Sequence, residues 1–328
     1  MVNSTSLNLS FPQDWNTCSV IQLEQIASAL VDVAESTDRF HPFDMKEVKV
    51  ALFFLMSGIK ILEPLSVNEK GDEGYVVTHS DVKEPFFLEL WKINSFVNGV
   101  PDIETIGQAE PQMEQEGVFD WLDDESHSGP LLFPYEKLTV HGRFPLNKRT
   151  YKGVAPLMQD FTWQRYRHCI DWMEEYIRRE NVRIRAVAKA HGCPAHSPLH
   201  ADVRNAEREA DDARASFLSE LITGMEGKDH LFRNFDKVKW QVILFWWAEQ
   251  MHYLHRTYPR CFKKQGFGAK GKKPHNPFEL YTRTITTMIK DLGLDEDRVN
   301  NLTYTLVLQR LEDMAKESEE IEKMKRKK

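Results

Sequence analysis

Only four of the 328 residues are cysteine, and no two are spaced as Cys-x-x-Cys. Cys18, Cys169, Cys193 and Cys261 lie far apart, which argues against a disulfide framework and favours reduced thiols in a cytoplasm. Long apolar runs are also missing. The longest near the C-terminal third, Val242 to Ala248, falls far short of the ~20 residues a membrane helix needs. The opening MVNSTSLNLSFPQDW lacks a basic n-region and an apolar h-region, so no secretory signal is expected. Gly-x-Ser-x-Gly, Walker A and Rossmann fingerprints are absent as well. Without a reaction signature the expectation is a protein that is not an enzyme and carries no cofactor.

The most informative shortage is local. From Lys92 to Lys137 there is no intervening Lys or Arg, while ten acids fall there: Asp102, Glu104, Glu110, Glu114, Glu116, Asp120, Asp123, Asp124, Glu125 and Glu136. Two other stretches carry bases and no acid. Lys137 to Lys152 holds Lys137, Arg143, Lys148, Arg149 and Lys152; residues 250 to 278 hold Arg256, Arg260, Lys263, Lys264, Lys270, Lys272 and Lys273. The net charge is −7, and the ten acids account for all of its negative sign. Charge sorted this way points to a meeting with another charged surface: a partner, a copy of the same chain, or nucleic acid.

What is present reads as mainly α, a helical bundle with a small β-hairpin element in the N-terminal half. Residues 1 to 18 read as an arm, polar except for Phe11, Pro12 and Trp15. Ser19 to Gln22 has the form of a capping box, followed by Leu23, Ile26, Leu30 and Val33 at helical spacing. Asp44 to Glu47 repeats the device for a second helix that Gly58 stops. Ile61-Leu62 and Tyr75 to Val77 flank the turn-rich NEKGDEG, which predicts a hairpin. Pro85 then opens a helix predicted over Phe86 to Phe96, ended near Asn98-Gly99. Farther on, the spacing predicts a long helix with the seam Trp163, Tyr166, Ile170, Met173, Ile177, Ile184 and Val187. A second carries Val203, Ala206, Ala210, Ala213, Phe217 and Leu221, and a central one spans Val238 to His255. Two more are expected, from Asn276-Pro277 and from about Asp295 to Ile321. The corresponding segments are a domain over 1–100, acidic then basic connecting loops over 101–159, a central bundle over 160–262, and a basic linker with C-terminal helices over 263–328.

Three groupings raise the question of chemistry. His191-x-Cys193-x-x-His196-x-x-x-His200 has zinc-type ligands, yet one Pro-rich segment seldom closes a tetrahedral site by itself. The reading is therefore no metal, with a metal-dependent enzyme at Cys193, His196 and His200 as an alternative. Glu249-x-x-His252 matches half of a di-iron bundle motif, but no second Glu-x-x-His exists. Inside the acidic loop, Phe119, Trp121 and Leu122 are the only large apolar cluster, flanked by Asp123, Asp124 and Glu125. They are read as a docking segment for a partner, together with Arg260, Lys263, Lys264, Lys270, Lys272 and Lys273. The plainer alternative is a loop tucked onto its own domain by Trp121. The basic loops leave open a nucleic-acid-associated or defence-related protein, although a net charge of −7 and a pI near 6 weigh against a dedicated nucleic-acid role.

Three short landmarks complete the reading. Phe11-Pro-Gln-Asp-Trp15 with Gln22-Leu23, then Tyr151-Lys-Gly153 with Phe161-Thr162 and Tyr166, then Phe245-Trp-Trp247 with Tyr258-Pro-Arg-Cys-Phe262 follow one another. In that order they resemble uncharacterised proteins of the tail-gene modules of Bacteroidetes phages and prophages. The acidic loop and the histidine turn depart from that pattern. The resemblance implies a largely helical structural or assembly protein of a phage particle, without catalytic residues. It would act through protein partners of the particle or its assembly intermediates, with a homo-oligomer allowed and no membrane. It would reside in the host bacterial cytoplasm or be incorporated in the virion.

Overall fold

The structure is a computed structural model that describes residues 9–36, 45–99, 117–124, 126–141, 148–194, 196–222, 225, 227–262 and 277–326. Among them the chain is mainly α, with a small antiparallel sheet in the N-terminal half. It divides into two compact units, residues 1–134 with 236–249 and residues 135–235 with 250–328. This differs from the expectation of four successive segments. A segment that is distant in sequence, 236–249, completes the first unit, and no local pattern marks such a partnership.

Unit 1 starts with the expected capping box. The Ser19 amide donates to Gln22 Oε1 at 2.8 Å, and the Gln22 amide donates back to Ser19 Oγ at 3.3 Å. Helix α1 (Val20–Ser36) follows, burying Leu23 and Ile26. Helix α2 (Met45–Ser57) buries Val48, Leu52 and Phe53, and stops at Gly58, whose φ of 74° suits a residue without Cβ. The Asp44 cap lies outside the described residues. The stretch read as an arm contributes Phe11, Pro12 and Trp15 to the core; residues 1–8 lie outside the described residues. Pro12 and Trp15 are buried, and Phe11 packs on Phe53, Phe96 and Phe119 with centroids 6.1, 5.8 and 5.3 Å apart. Aromatic pairs at such spacings add roughly 0.5–1.5 kcal/mol each beyond area burial, which holds an otherwise polar segment down.

The hairpin expectation grows into a four-stranded sheet. Strands β1 (Lys60–Ile61) and β2 (Ser66–Val67) both pair antiparallel with β3 (Glu73–Thr78), and β4 (Phe86–Glu89) pairs with it too. The helix predicted from Phe86 is therefore corrected. Phe86, Phe87 and Leu88 sit opposite Val77, Val76 and Tyr75, and helix α3 is confined to Leu90–Asn98. Cross-strand apolar pairing outweighs the helical spacing there. The end at Gly99, in the left-handed region, is where it was expected.

Unit 2 carries a second hairpin in the stretch read as a basic connecting loop: β5 (Lys137–His141) with β6 (Lys148–Lys152). Helix α4 (Trp163–Ala190) is capped by Thr162, which accepts from the Arg165 amide, and packs on α5 (Leu199–Leu221). Arg165 closes the end of α5 by donating to the Glu220 and Leu221 carbonyls at 2.8 Å each, while lying over the Phe161 ring. The predicted seam of α4 is buried at Trp163, Tyr166 and Met173 but emerges at Ile177 and Ile184, which are 52% and 47% exposed.

Helix α6 (Lys237–Thr257) begins in unit 1 and ends in unit 2, with Trp240, Trp246 and Trp247 buried as a central helix requires. Helix α7 (Pro277–Leu292) follows. The long helix predicted from Asp295 breaks into α8 (Glu296–Asn300) and α9 (Tyr304–Arg326). Residues 301–303 are drawn out of helical form where the chain pairs with the entry to α4. Trp163 donates to the Leu302 carbonyl at 2.7 Å and Tyr304 to that of Phe161 at 3.1 Å. No helix among the described residues is long and apolar enough to cross a membrane.

Candidate functional site

The acidic segment from Gly117 onward is strapped to unit 1 at successive points. The Val118 amide donates to the Phe96 carbonyl at 3.1 Å, and Phe119 is fully buried. Lys49, on the buried stripe of α2, then reaches up to two carboxylates, Asp120 at 2.8 Å and Asp123 at 2.6 Å. Burial by itself would lower the Lys49 pKa, but these hydrogen bonds and charges outweigh it and hold the ammonium above its usual range. Trp121 meets Trp15 edge to face at 5.2 Å.

Beyond that turn the strap continues along α6. Glu249 is 2% exposed and accepts from the Ser128 amide at 3.0 Å, with His127 Nδ1 at 3.3 Å. Gly129 fits because a Cβ there would overlap the Phe245 carbonyl. The Leu131 amide ends the run on Asn16 Oδ1 at 3.0 Å.

Full burial of Phe119 corrects the docking expectation for that residue, while Trp121 stays half-buried. Phe119 is a core side chain of its own unit, and Trp121 lies against Trp15. The plainer alternative, a loop tucked onto its domain, describes residues 117–124. The aromatic transfer from water that would drive a partner to bind is already spent within the unit. Asp123 is half-exposed but paired with Lys49, and Asp124 is exposed. Ser126 hydroxyl and amide hydrogen bonds hold the Asp124 carboxyl below its usual range. Arg260 is committed as well. It pairs with Glu312 at 2.8 Å and Glu319 at 3.2 Å within unit 2, so it is a structural cation and not a free docking charge. Glu125, Lys263, Lys264, Lys270, Lys272 and Lys273 lie outside the described residues.

The strap leaves a cavity of about 260 Å³ against α1, α2 and α6. Its wall is apolar, from Trp15, Ile26, Leu30, Val48, Leu122 and Phe245. The polar groups at it are Asp123, Asp124, His127 and Ser128. Trp15 is 6% exposed, and its indole N–H has no hydrogen-bond acceptor among the described residues. A buried donor left without a partner costs roughly 1–3 kcal/mol. Pockets for drug-sized ligands run to about 300–1,000 Å³; this one suits a single side chain.

Sequence reasoning passed over Lys49, Trp15 and the role of Glu249. Lys49 carried a signal, since it falls on the same helical stripe as Val48, Leu52 and Phe53. A lysine on a buried stripe calls for acidic partners. Glu249 was noticed only for its spacing to His252.

The histidine turn shows no ligand geometry. His200 Nε2 lies 3.4 Å from the Cys193 carbonyl oxygen, and Cys193 Sγ lies 3.7 Å from that of Lys189. Among the described residues no three His, Cys, Asp or Glu side chains are grouped to hold a metal ion. All four cysteines are free thiols. Comparison with protein-family models, curated proteins and solved structures finds no match to this chain.

Proposed function

We propose that this chain is a non-catalytic protein that works through contacts with other proteins, and that the strapped pocket of unit 1 seats one side chain of its partner. The observation that carries this is the pocket's composition: an apolar chamber the size of one side chain with acids at its rim. The fitting occupant is an apolar side chain on a peptide backbone, next to a lysine or arginine that meets Asp124. Desolvating the apolar anchor would supply most of the affinity, while the rim charge would set orientation and encounter rate. The resemblance to phage tail-module proteins supplies the class of partner, a component of a phage particle or of its assembly intermediates.

A photo-crosslinking residue placed at Asp124 in the full chain, expressed during prophage induction, tests this. The expected adduct joins that position to one particle protein, at an apolar residue adjoining a basic one. Asp124→Lys should abolish its formation at unchanged protein level. Adducts that form equally with and without induction, or none at all, would overturn the proposal.

A further inference from the structure

Hairpin β5–β6 has a face that nothing in the chain's own described structure explains. Its register sets Lys137 directly opposite Lys152, and Thr139 opposite Thr150. Strand alternation puts these four on one side, and Leu138, 2% exposed, on the other. All four are exposed, with the two threonine hydroxyls 3.3 Å apart between the lysines. Like charges placed directly across a strand pair destabilise it. A neighbouring carboxylate would relieve this, yet among the described residues none lies within ion-pair distance of Lys137, Arg149 or Lys152. Nor does any acid occur between Lys137 and Lys152 in the sequence. The ribbon is a cationic surface kept open.

The same chain carries the complement. Residues 100–116 hold Asp102, Glu104, Glu110, Glu114 and Glu116 and no base. The two ends of that segment are fastened at one place on unit 1. Gly117 packs against Val97 and Gly99 so closely that a Cβ on it would overlap the Val97 carbonyl and the Gly99 amide. The residues that flank the segment, Gly99 and Gly117, thus lie side by side on unit 1.

We infer that the acidic segment 100–116 of one copy docks on the β5–β6 face of a second copy. Lys137 and Lys152 meet carboxylates there, and the Thr139 and Thr150 hydroxyls donate between them. A second copy is favoured over nucleic acid because the chain is acidic overall and itself supplies the five carboxylates. Each copy presents both surfaces, so the contact is head-to-tail and propagates into a ring or a filament. This inference is independent of the pocket reading and uses none of its residues.

A charge-swap experiment on the full chain tests it, with mass measured by sedimentation velocity at low and high salt. The wild type should assemble at low salt and disperse at high salt. Lys137→Glu/Lys152→Glu should weaken self-association about tenfold or more, and so should Glu110→Lys/Glu114→Lys/Glu116→Lys. Mixing the two variants should restore assembly, because each keeps the surface that the other has lost. Lys137→Gln/Lys152→Gln should show a smaller loss and checks that the reversed charges have not unfolded the hairpin. A wild type of single-chain mass at low salt, or a mixture that stays dispersed, would overturn the inference. So would duplex DNA binding that the lysine reversal abolishes while mass is unaffected.

Discussion

Removing Lys49 should disturb unit 1 less than removing the charges it faces. The ammonium is buried, with its side chain 4% exposed, whereas Asp120 and Asp123 are 39% and 51% exposed. In Lys49→Met the carboxylates turn to water and a flexible thioether fills the channel. Two charge-assisted hydrogen bonds are lost, but the desolvation of an ion is lifted, for a net of about 0–1.5 kcal/mol. In Asp120→Asn/Asp123→Asn the ammonium stays buried among neutral groups. A fully uncompensated buried charge costs about 3–5 kcal/mol. The amide oxygens still accept and the site is half open to solvent, so about 2–3 kcal/mol is the expected loss. The triple variant should recover most of it. Urea unfolding followed by tryptophan fluorescence is a suitable assay, since six of the eight tryptophans belong to unit 1. Two outcomes would refute the reasoning: Lys49→Met as the more damaging change, or effects additive within about 0.5 kcal/mol. The raised Lys49 pKa adds a pH signature. Its contribution is complete below the unfolded value of about 10.4 and fades as pH rises through the folded one.

Other expectations concern both units. Glu312 is 8% exposed and accepts from the Arg260 amide at 2.8 Å and the Cys261 amide at 3.1 Å besides the Arg260 guanidinium. Glu312→Ala should therefore cost unit 2 about 2–4 kcal/mol by urea denaturation, and Glu312→Gln about half of that. Burial opposes ionisation of Glu312, but these donors outweigh it and hold its carboxyl low. Its stabilisation is present above the unfolded value of about 4.3 and lost as pH falls through the folded one, so the Gln variant should show a flatter acid limb. Gly129→Ala should lose about 1–3 kcal/mol, because strap and helix α6 must separate; an unchanged melting temperature would contradict the close approach. Thiol titration at mildly alkaline pH should find Cys193 on its turn reacting first. Burial pushes Cys18 and Cys261 up to about 12, and Cys169 is raised further, so a fast reaction of these three would reject the packing.

The helices were legible where a local signal and the tertiary environment agree. The Ser19–Gln22 box, the stop at Gly58 and the αL end at Gly99 each depend on a few adjacent residues. What escaped depends on distant partners. Phe86 to Leu88 form a strand only because β3 offers an edge, and Thr303 leaves the helix only because the entry to α4 lies beside it. The arm reaches the core because Phe53, Phe96 and Phe119 gather around Phe11 from three separate stretches. Of the site, the acids and the aromatic cluster were visible. Their fastening to Lys49 and Glu249 was not, because a carboxylate's partner seventy or more residues away leaves no mark on its neighbours.

The split membership of helix α6 has a consequence for how the chain is made. Unit 1 lacks its tryptophan-rich helix until residues 236–249 leave the ribosome, roughly a hundred residues after Pro134. At synthesis rates of about 5–20 residues per second, that is a wait of about 5–20 s. Through that interval Trp15 and Phe133 lack the Phe245 and Trp246 rings they pack against. The N-terminal half is thus born incomplete, and each nascent chain spends seconds with an open apolar face that either a chaperone or a neighbouring nascent chain can cover.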